Sequence, residues 1–332
     1  MHRTVRRRTA ATGIAVASAF TMLVSAPAAY AHPGGGHTPS TIALPGGAVE
    51  EGGSKFEGIG VDLRRLTFYV SETTGGEISR GNVRRDTARP WLPGDGSDGR
   101  WTARGITVDR KGRVYIAGGP NGSDPAHPNS PDLWVYNRSG KLLAKLDTGV
   151  DGAFLNDVAI GPDGAAYFTN SNAPQIFRVS KQPNRGWQVT TFVDASATIP
   201  VSDGFNLGGI VATPDRKALI VAQGNVGALW RVDLRTRAVT RINIGDANLT
   251  NADGLVLDGR KLIVIRNFSR SIATLRLSGN WSNATLLRET PTAPDRVLTT
   301  GKLVGRKLYA VDSKFDETVG TPPYEVVVLP KP

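Results

Sequence analysis

The chain has 332 residues, four histidines, no cysteine and a formal net charge of +11. Without cysteine it can form no disulfide, thiolate nucleophile or cysteine metal site, so its core must supply its stability. The basic residues are scattered rather than gathered with aromatic residues into a stripe, which argues against a nucleic-acid-binding protein.

The N-terminus predicts export. Residues 1–31, MHRTVRRRTAATGIAVASAFTMLVSAPAAYA, have a basic start, an apolar stretch and an A-x-A ending at Ala31. This is the layout of a secretory signal peptide, so we expect a secreted, extracellular protein after cleavage near Ala31. Arg6–Arg8 loosely resemble a twin-arginine signal, but the basic start of an ordinary signal is the commoner explanation, and the export route stays open. Residues 32–40, HPGGGHTPS, predict a flexible tether, and no later segment predicts a membrane span.

The remaining chain, residues 41–332, contains six segments that share a pattern of apolar strand, turn and apolar strand. They begin at Glu57, Arg104, Asn156, Gly208, Asp253 and Thr300. The spacing of about 45 to 52 residues is typical of propeller blades, and each segment is followed by further strand patterns. The sequence therefore predicts an all-β, six-bladed β-propeller. We expect STIALPG near its start to pair with YEVVVLP near its end and close the ring.

The six starting positions predict a site, because propeller symmetry brings the first strand of every blade to the central channel. Glu57, Asn156 and Asp253 would then offer carboxylate and amide oxygens to one divalent cation. Ca²⁺ is the first choice, and Zn²⁺, Mg²⁺ or Mn²⁺ are alternatives. Simpler interpretations stay open. Asn156 and Asp253 could be ordinary turn residues, and Glu57 could form a buried ion pair with Arg104.

The motifs FEGIGVD, LNDVAIGPDG and ADGLVLDG resemble blades of the SMP-30/gluconolactonase-like, or regucalcin-type, family of six-bladed propellers. The resemblance implies that Glu57 and Asp253 hold a divalent metal and that Asn156 contacts the substrate or metal-bound water. It also implies an asparagine ligand in the fourth blade, where this chain has Gly208. Asn206 is the candidate replacement ligand, and Asp203 is a second one.

Another departure from the family lies in the third blade. Some lactonases of the family carry an arginine two residues before the third-blade asparagine, where this chain has Phe154. Arg104, one blade earlier, is the candidate compensating cation.

These observations predict a metal-dependent hydrolase of the lactonase or esterase type, acting at the mouth of the channel. Its expected catalytic residues are Asp253 and Asn156, its metal ligands Glu57, Asn206 and Asp253, and its substrate-binding residues Arg104 and Asn156. The expected partner is a small-molecule substrate or ligand, and the expected state is a monomer.

The alternative is a non-catalytic, secreted propeller that binds a ligand or a metal, and other propeller chemistries such as condensation or redox reactions also stay open. A serine hydrolase is not expected, because His127 is the one histidine beyond the predicted tether and no G-x-S-x-G motif is present.

Overall fold

The computed structural model describes residues 39–46, 52–119, 127 and 129–332. These residues form an all-β structure of six four-stranded antiparallel sheets, without a helix. The six-bladed β-propeller predicted from the repeats is therefore confirmed. The predicted signal peptide, and the predicted tether as far as residue 38, lie outside the described residues. Nothing in the described part of the chain is a helix capable of crossing a membrane.

The first three blades follow the chain in order. Blade 1 contains β2 (Phe56–Asp62), β3 (Thr67–Glu72), β4 (Ile78–Asn82) and β5 (Ala88–Leu92). Blade 2 contains β6 (Ile106–Val108), β7 (Val114–Ala117), β8 (Leu133–Tyr136) and β9 (Leu142–Leu146). Blade 3 contains β10 (Leu155–Ile160), β11 (Ala166–Asn170), β12 (Gln175–Gln182) and β13 (Gly186–Asp194).

The last three blades continue the same pattern. Blade 4 contains β14 (Leu207–Ala212), β15 (Ala218–Gln223), β16 (Ala228–Asp233) and β17 (Val239–Arg241). Blade 5 contains β18 (Ala252–Asp258), β19 (Lys261–Arg266), β20 (Ser271–Leu277) and β21 (Ala284–Pro291). Blade 6 combines β22 (Leu298–Val304), β23 (Lys307–Asp312) and β24 (Glu325–Pro330) with β1 (Thr41–Ala43) from the start of the chain.

The two ends of the propeller meet in blade 6. β1 pairs antiparallel with β24, and Thr41 lies opposite Val327. This confirms the predicted pairing of STIALPG with YEVVVLP. Closure removes two sheet edges that would otherwise present unpaired backbone groups.

The core lies between the faces of neighbouring blades. One cluster joins Tyr167 of blade 3 to Leu219 and Trp230 of blade 4, all of them buried. The second strands are the most apolar, and all six residues of β15 are buried. The outer strands either alternate between buried and exposed residues or face solvent, as in β21, where only Ala284 is buried. This burial on both faces stabilises a ring that has no disulfide.

Each innermost strand except β6 loses its register near its first residue. In blade 1 the pairing jumps from Phe56 to Ile59, and blades 3 to 6 show the same interruption. These interruptions are β-bulges, which re-aim the side chains of the residues left unpaired. The bulges begin at Glu57, Asn156, Gly208, Asp253 and Thr299. In blade 2, Arg104 precedes β6 and its N–H donates to the Ala117 carbonyl at 2.8 Å.

The register corrects one prediction. The sixth position in the ring is Thr299 rather than Thr300, because Thr299 follows paired Leu298 as Glu57 follows paired Phe56. Both threonine hydroxyls donate to the Glu57 carbonyl, at 2.8 and 2.9 Å, and so fasten blade 6 to blade 1.

Candidate functional site at one mouth of the channel

The starts of the inner strands open into a cavity of about 750 Å³. All five predicted site residues line it, namely Glu57, Arg104, Asn156, Asn206 and Asp253. The far ends of the inner strands line a separate, largely apolar hollow that includes Val61, Ile160 and Leu257. The fold thus gathers the predicted polar residues at a single mouth of the channel.

Glu57 is a buried carboxyl group, only 5% exposed, at the bulge of β2. Burial raises its pKa well above the ordinary value, the charge of Asp253 raises it further, and the charge of Arg104 opposes both effects. No ion pair within 4 Å joins Glu57 and Arg104. The interpretation of Glu57 as one half of a close buried ion pair therefore lacks support in the structure.

Asp253 begins the bulge of β18 and keeps part of its surface open to the cavity. Burial raises its pKa to about 7, a hydrogen bond from Asn267 lowers it, and the charge of Asp157 raises it. The Asn267 side-chain N–H donates to Asp253 Oδ2 at 2.8 Å. A carboxylate held in this way is oriented, and in the cation-free cavity its pKa lies near neutral pH.

Asn267 was missed in the sequence. It follows β19, the partner strand of β18, and it also lines the cavity. The predicted hairpin starts at Asp253 and ends at Asn267. Because its two strands pair, its first and last residues lie close together, and this could have identified Asn267 as a neighbour of Asp253.

Asn156 is 8% exposed, and its buried Oδ1 has no hydrogen-bond partner in the structure. An unsatisfied buried acceptor costs about 1–3 kcal/mol, so such an atom is uncommon unless a ligand or ion completes it. The neighbouring Asp157 differs, because its carboxylate accepts the backbone N–H groups of Val158 and Ile210. Asn156, rather than Asp157, therefore retains an oxygen for a ligand.

Gly208 lies in the ring between Asn156 and Asp253. A Cβ placed on Gly208 would lie 3.7 Å from Asn156 Oδ1 and 3.5 Å from the Asp253 carbonyl oxygen. These are ordinary van der Waals distances, and the φ angle of Gly208 lies outside the left-handed region. The absence of a side chain here therefore leaves room beside the unpaired oxygen.

Asn206 lines the cavity, but its amide is occupied by the loop that precedes β14. Its Oδ1 accepts the Ser202 N–H at 2.9 Å, and its Nδ2 donates to the carbonyls of Ser202 and Gly204 at 2.9 and 3.1 Å. Gln223 also donates to Oδ1, at 3.2 Å. These bonds account for the position of Asn206 without an ion, and its role as a metal ligand stays a prediction.

Arg104 is the buried cation of the cavity. Its guanidinium carbon lies 3.9 Å from the centroid of the Phe154 ring, a cation–π contact. Burial lowers the pKa of Arg104 to about 10, and the charges of Glu57 and Asp132 oppose that fall. The side chain therefore stays protonated at neutral pH, and its Nη1 has no hydrogen-bond partner in the structure.

The rim of the cavity is aromatic. Phe205 is 62% exposed and Phe268 is 49% exposed, although both are large apolar side chains. The Phe154 and Phe205 rings lie 4.9 Å apart between centroids, and Phe315 also lines the cavity. Sequence reasoning missed this rim, since the exposure of a loop phenylalanine depends on the folded neighbours.

The donor set for a cation is mixed. Of the residues that the structure describes, no three Asp, Glu or His side chains come together closely enough to hold an ion. A cation in this cavity would therefore need amide or backbone oxygens beside the carboxylates of Glu57 and Asp253. The unpaired Asn156 Oδ1 is such an oxygen, and oxygen-only sets suit hard divalent cations.

The comparisons with known proteins establish the fold of this chain, and they do not establish which reaction it catalyses. No protein-family profile and no curated protein matches the chain. Among solved structures, the major allergen Mala s 1 of Malassezia sympodialis is 19% identical with a TM-score of 0.63, covering 87% of this chain and 96% of that one.

Two further similar structures are named as enzymes. A catalytically inactive virginiamycin B lyase from Staphylococcus aureus is 15% identical with a TM-score of 0.55, covering 87% of this chain and 98% of that one. A candidate gluconolactonase is 14% identical with a TM-score of 0.55, covering 87% of this chain and 94% of that one. At these identities the likeness establishes the shared propeller fold, and the names describe those proteins.

Proposed function

We propose that this protein is a secreted, metal-dependent hydrolase of lactones or related esters, and a member of the SMP-30/gluconolactonase-like family. The observation that carries the proposal is the convergence of Glu57, Asn156 and Asp253 at one cavity, with Asn156 Oδ1 left unpaired. The candidate gluconolactonase among the structural neighbours supports the same class of reaction. Secretion rests on the N-terminal pattern.

Glu57 and Asp253 would hold the cation, with Asn156 as a neighbouring amide oxygen and Asn206 as a further ligand if its loop rearranges. Ca²⁺ is the first candidate, and Zn²⁺, Mg²⁺ or Mn²⁺ are the others. When bound, a divalent cation polarises a carbonyl oxygen and makes water a better nucleophile at neutral pH.

The remaining chemistry belongs to the side chains. Asp253 accepts the proton of the attacking water as the new carbon–oxygen bond forms, and Asn267 keeps its carboxylate oriented. The ester carbon–oxygen bond then breaks, and the departing alcohol oxygen takes up the proton that Asp253 received, which yields a hydroxy acid from a lactone. Arg104 stabilises the negative charge that develops on the carbonyl oxygen, because it is buried, protonated and has an unpaired N–H.

The aromatic rim narrows the substrate class. A polyhydroxylated sugar lactone would leave Phe205 and Phe268 in contact with hydroxyl groups, whereas an alkyl or aryl substituent would bury their exposed rings. Burial of apolar surface contributes about 25 cal/mol per Å². We therefore favour lactones and esters that carry a hydrophobic substituent.

The test is hydrolysis of a panel of alkyl δ-lactones, glucono-δ-lactone and aryl esters with and without chelator. Asp253→Asn should lower kcat/KM for the best substrate by about 100-fold or more, because it removes the proton acceptor. Asp258→Asn is the matched control, since Asp258 lies on the same strand, outside the cavity, and pairs with Lys331 at the surface. Equal activity in the two variants would contradict the proposal.

A second candidate function is a non-catalytic propeller that binds a metal or a small ligand. Gly208 favours it, because it supplies no side-chain oxygen where the family has asparagine, and so does the occupied amide of Asn206. Saturable cation binding without turnover of any substrate in the panel would support this alternative.

A further inference from the structure

A second cavity, of about 420 Å³, lies on the outer part of blade 1. Five arginines line it, namely Arg65, Arg80, Arg85, Arg89 and Arg138. The first four come from the strands and turns of blade 1, and Arg138 comes from the turn between β8 and β9 of blade 2. None of the residues lining this cavity also lines the channel cavity.

The positive charge of this cavity is largely unpaired. Within the described part of the chain, no carboxylate lies within 4 Å of the guanidinium groups of Arg65, Arg80, Arg85 or Arg89. Arg138 pairs with Asp62 at 3.5 Å, the long end of the range for ion pairs. Some arginines elsewhere in the described chain have closer partners, as in the pair of Arg270 with Asp316 at 2.7 Å. Mutual repulsion among these arginines would be relieved by an anion.

Part of the cavity wall is held in place by packing. Arg80 donates from Nη1 to the Arg138 carbonyl at 3.4 Å, and its guanidinium carbon lies 5.8 Å from the centroid of the Trp91 ring. Tyr69, which is 2% exposed, packs against the same ring in a tilted arrangement, with 4.6 Å between the ring centroids, and also lines the cavity. These contacts orient Arg80 before any ligand arrives, which lowers the entropy cost of binding.

We propose that this cavity binds an anion that carries two or more phosphate or sulfate groups. The planar fork of a guanidinium matches a tetrahedral oxyanion with two parallel hydrogen bonds, and several arginines can share one polyanion. The cavity size suits a small molecule or a few groups of a polymer rather than a nucleic-acid duplex.

Titration calorimetry with inorganic tripolyphosphate and with sucrose octasulfate, in metal-free buffer, tests the proposal and separates the two anions. The test protein is a double variant that carries both Arg80→Ser and Arg89→Ser. The matched control is Arg276→Ser with Arg288→Ser, which removes the same charge from exposed arginines of blade 5 that also have no carboxylate within 4 Å in the described structure. Circular dichroism and thermal unfolding show whether each protein folds.

We expect one saturable site per chain for at least one of the two anions. The blade 1 variant should bind about tenfold or more weakly, whereas the blade 5 control should change by less than about twofold. Equal losses in both variants would mean that net charge alone attracts the anion, and that result would overturn the proposal, as would the absence of binding to the wild-type protein. If the double variant does not fold, Arg89→Ser alone, at an exposed position, decides the question.

Discussion

Replacing Gly208 with asparagine should tighten the binding of a divalent cation in the channel cavity. The new Cβ would lie at 3.5–3.7 Å from Asn156 Oδ1 and the Asp253 carbonyl oxygen, so the backbone can accept a side chain without moving. The amide oxygen of the new residue would then lie among the oxygens assigned to the cation.

The expected size of the effect follows from two opposing contributions. A contact between a polar group and a charge contributes about 1.5–3 kcal/mol, and ordering a short side chain costs up to about 1 kcal/mol. The balance of about 1.4 kcal/mol corresponds to about tenfold tighter binding.

Gly208→Ala is the matched control, because it adds the Cβ without the oxygen. Alanine should stabilise the cation-free protein by about 0.4–1 kcal/mol through the unfolded chain, with no gain in cation affinity. Affinity is measured by titration calorimetry after chelator treatment, with Ca²⁺ and then Zn²⁺, Mg²⁺ and Mn²⁺. A wild-type protein that binds a cation while Gly208→Asn binds no tighter, or an equal gain with alanine, would refute the reasoning.

Three further predictions concern the same cavity. Because the pKa of Asp253 is raised from 3.8 to about 7 and that of Glu57 is also raised, these two carboxyl groups should stabilise the cation-free protein at low pH, and the contribution of Asp253 should be lost as pH rises from 3.8 to about 7. Urea unfolding at about pH 5 and about pH 8 tests this sign, and a wild-type pH dependence no steeper than that of Asp253→Asn would contradict it. Arg104→Met should lower kcat by about tenfold or more in steady-state assays while the fold is retained, and an unchanged kcat would remove Arg104 from the mechanism. Phe205→Ser and Phe268→Ser should raise KM for alkyl lactones more than for an unsubstituted lactone, and an equal change for both would argue against the aromatic rim as a substrate contact.

The repeats made the ring predictable, because each blade repeats one local pattern and only a closed propeller buries six such sheets. The same symmetry predicted that Glu57, Asn156 and Asp253 would lie on one ring at the channel, and all three line one cavity although they are far apart in the chain. The exact residue at each position of the ring depends on the β-bulges, which place Thr299 rather than Thr300 at the sixth position.

Features that depend on loops and on neighbouring blades could not be predicted in this way. The exposure of Phe205, the hydrogen bond from Asn267 to Asp253 and the occupied amide of Asn206 all depend on how loops fold over the channel. The arginine cavity is a similar case. Basic residues that look scattered along the sequence converge because the hairpins of blade 1 and a turn of blade 2 meet.

The most direct measurement is anomalous diffraction from crystals grown with Mn²⁺, with the oxygen ligands counted. The account predicts a single peak in the channel cavity, bonded to the carboxylates of Glu57 and Asp253 and close to Asn156 Oδ1. The absence of a peak in that cavity at saturating Mn²⁺, or a peak that contacts neither carboxylate, would contradict it.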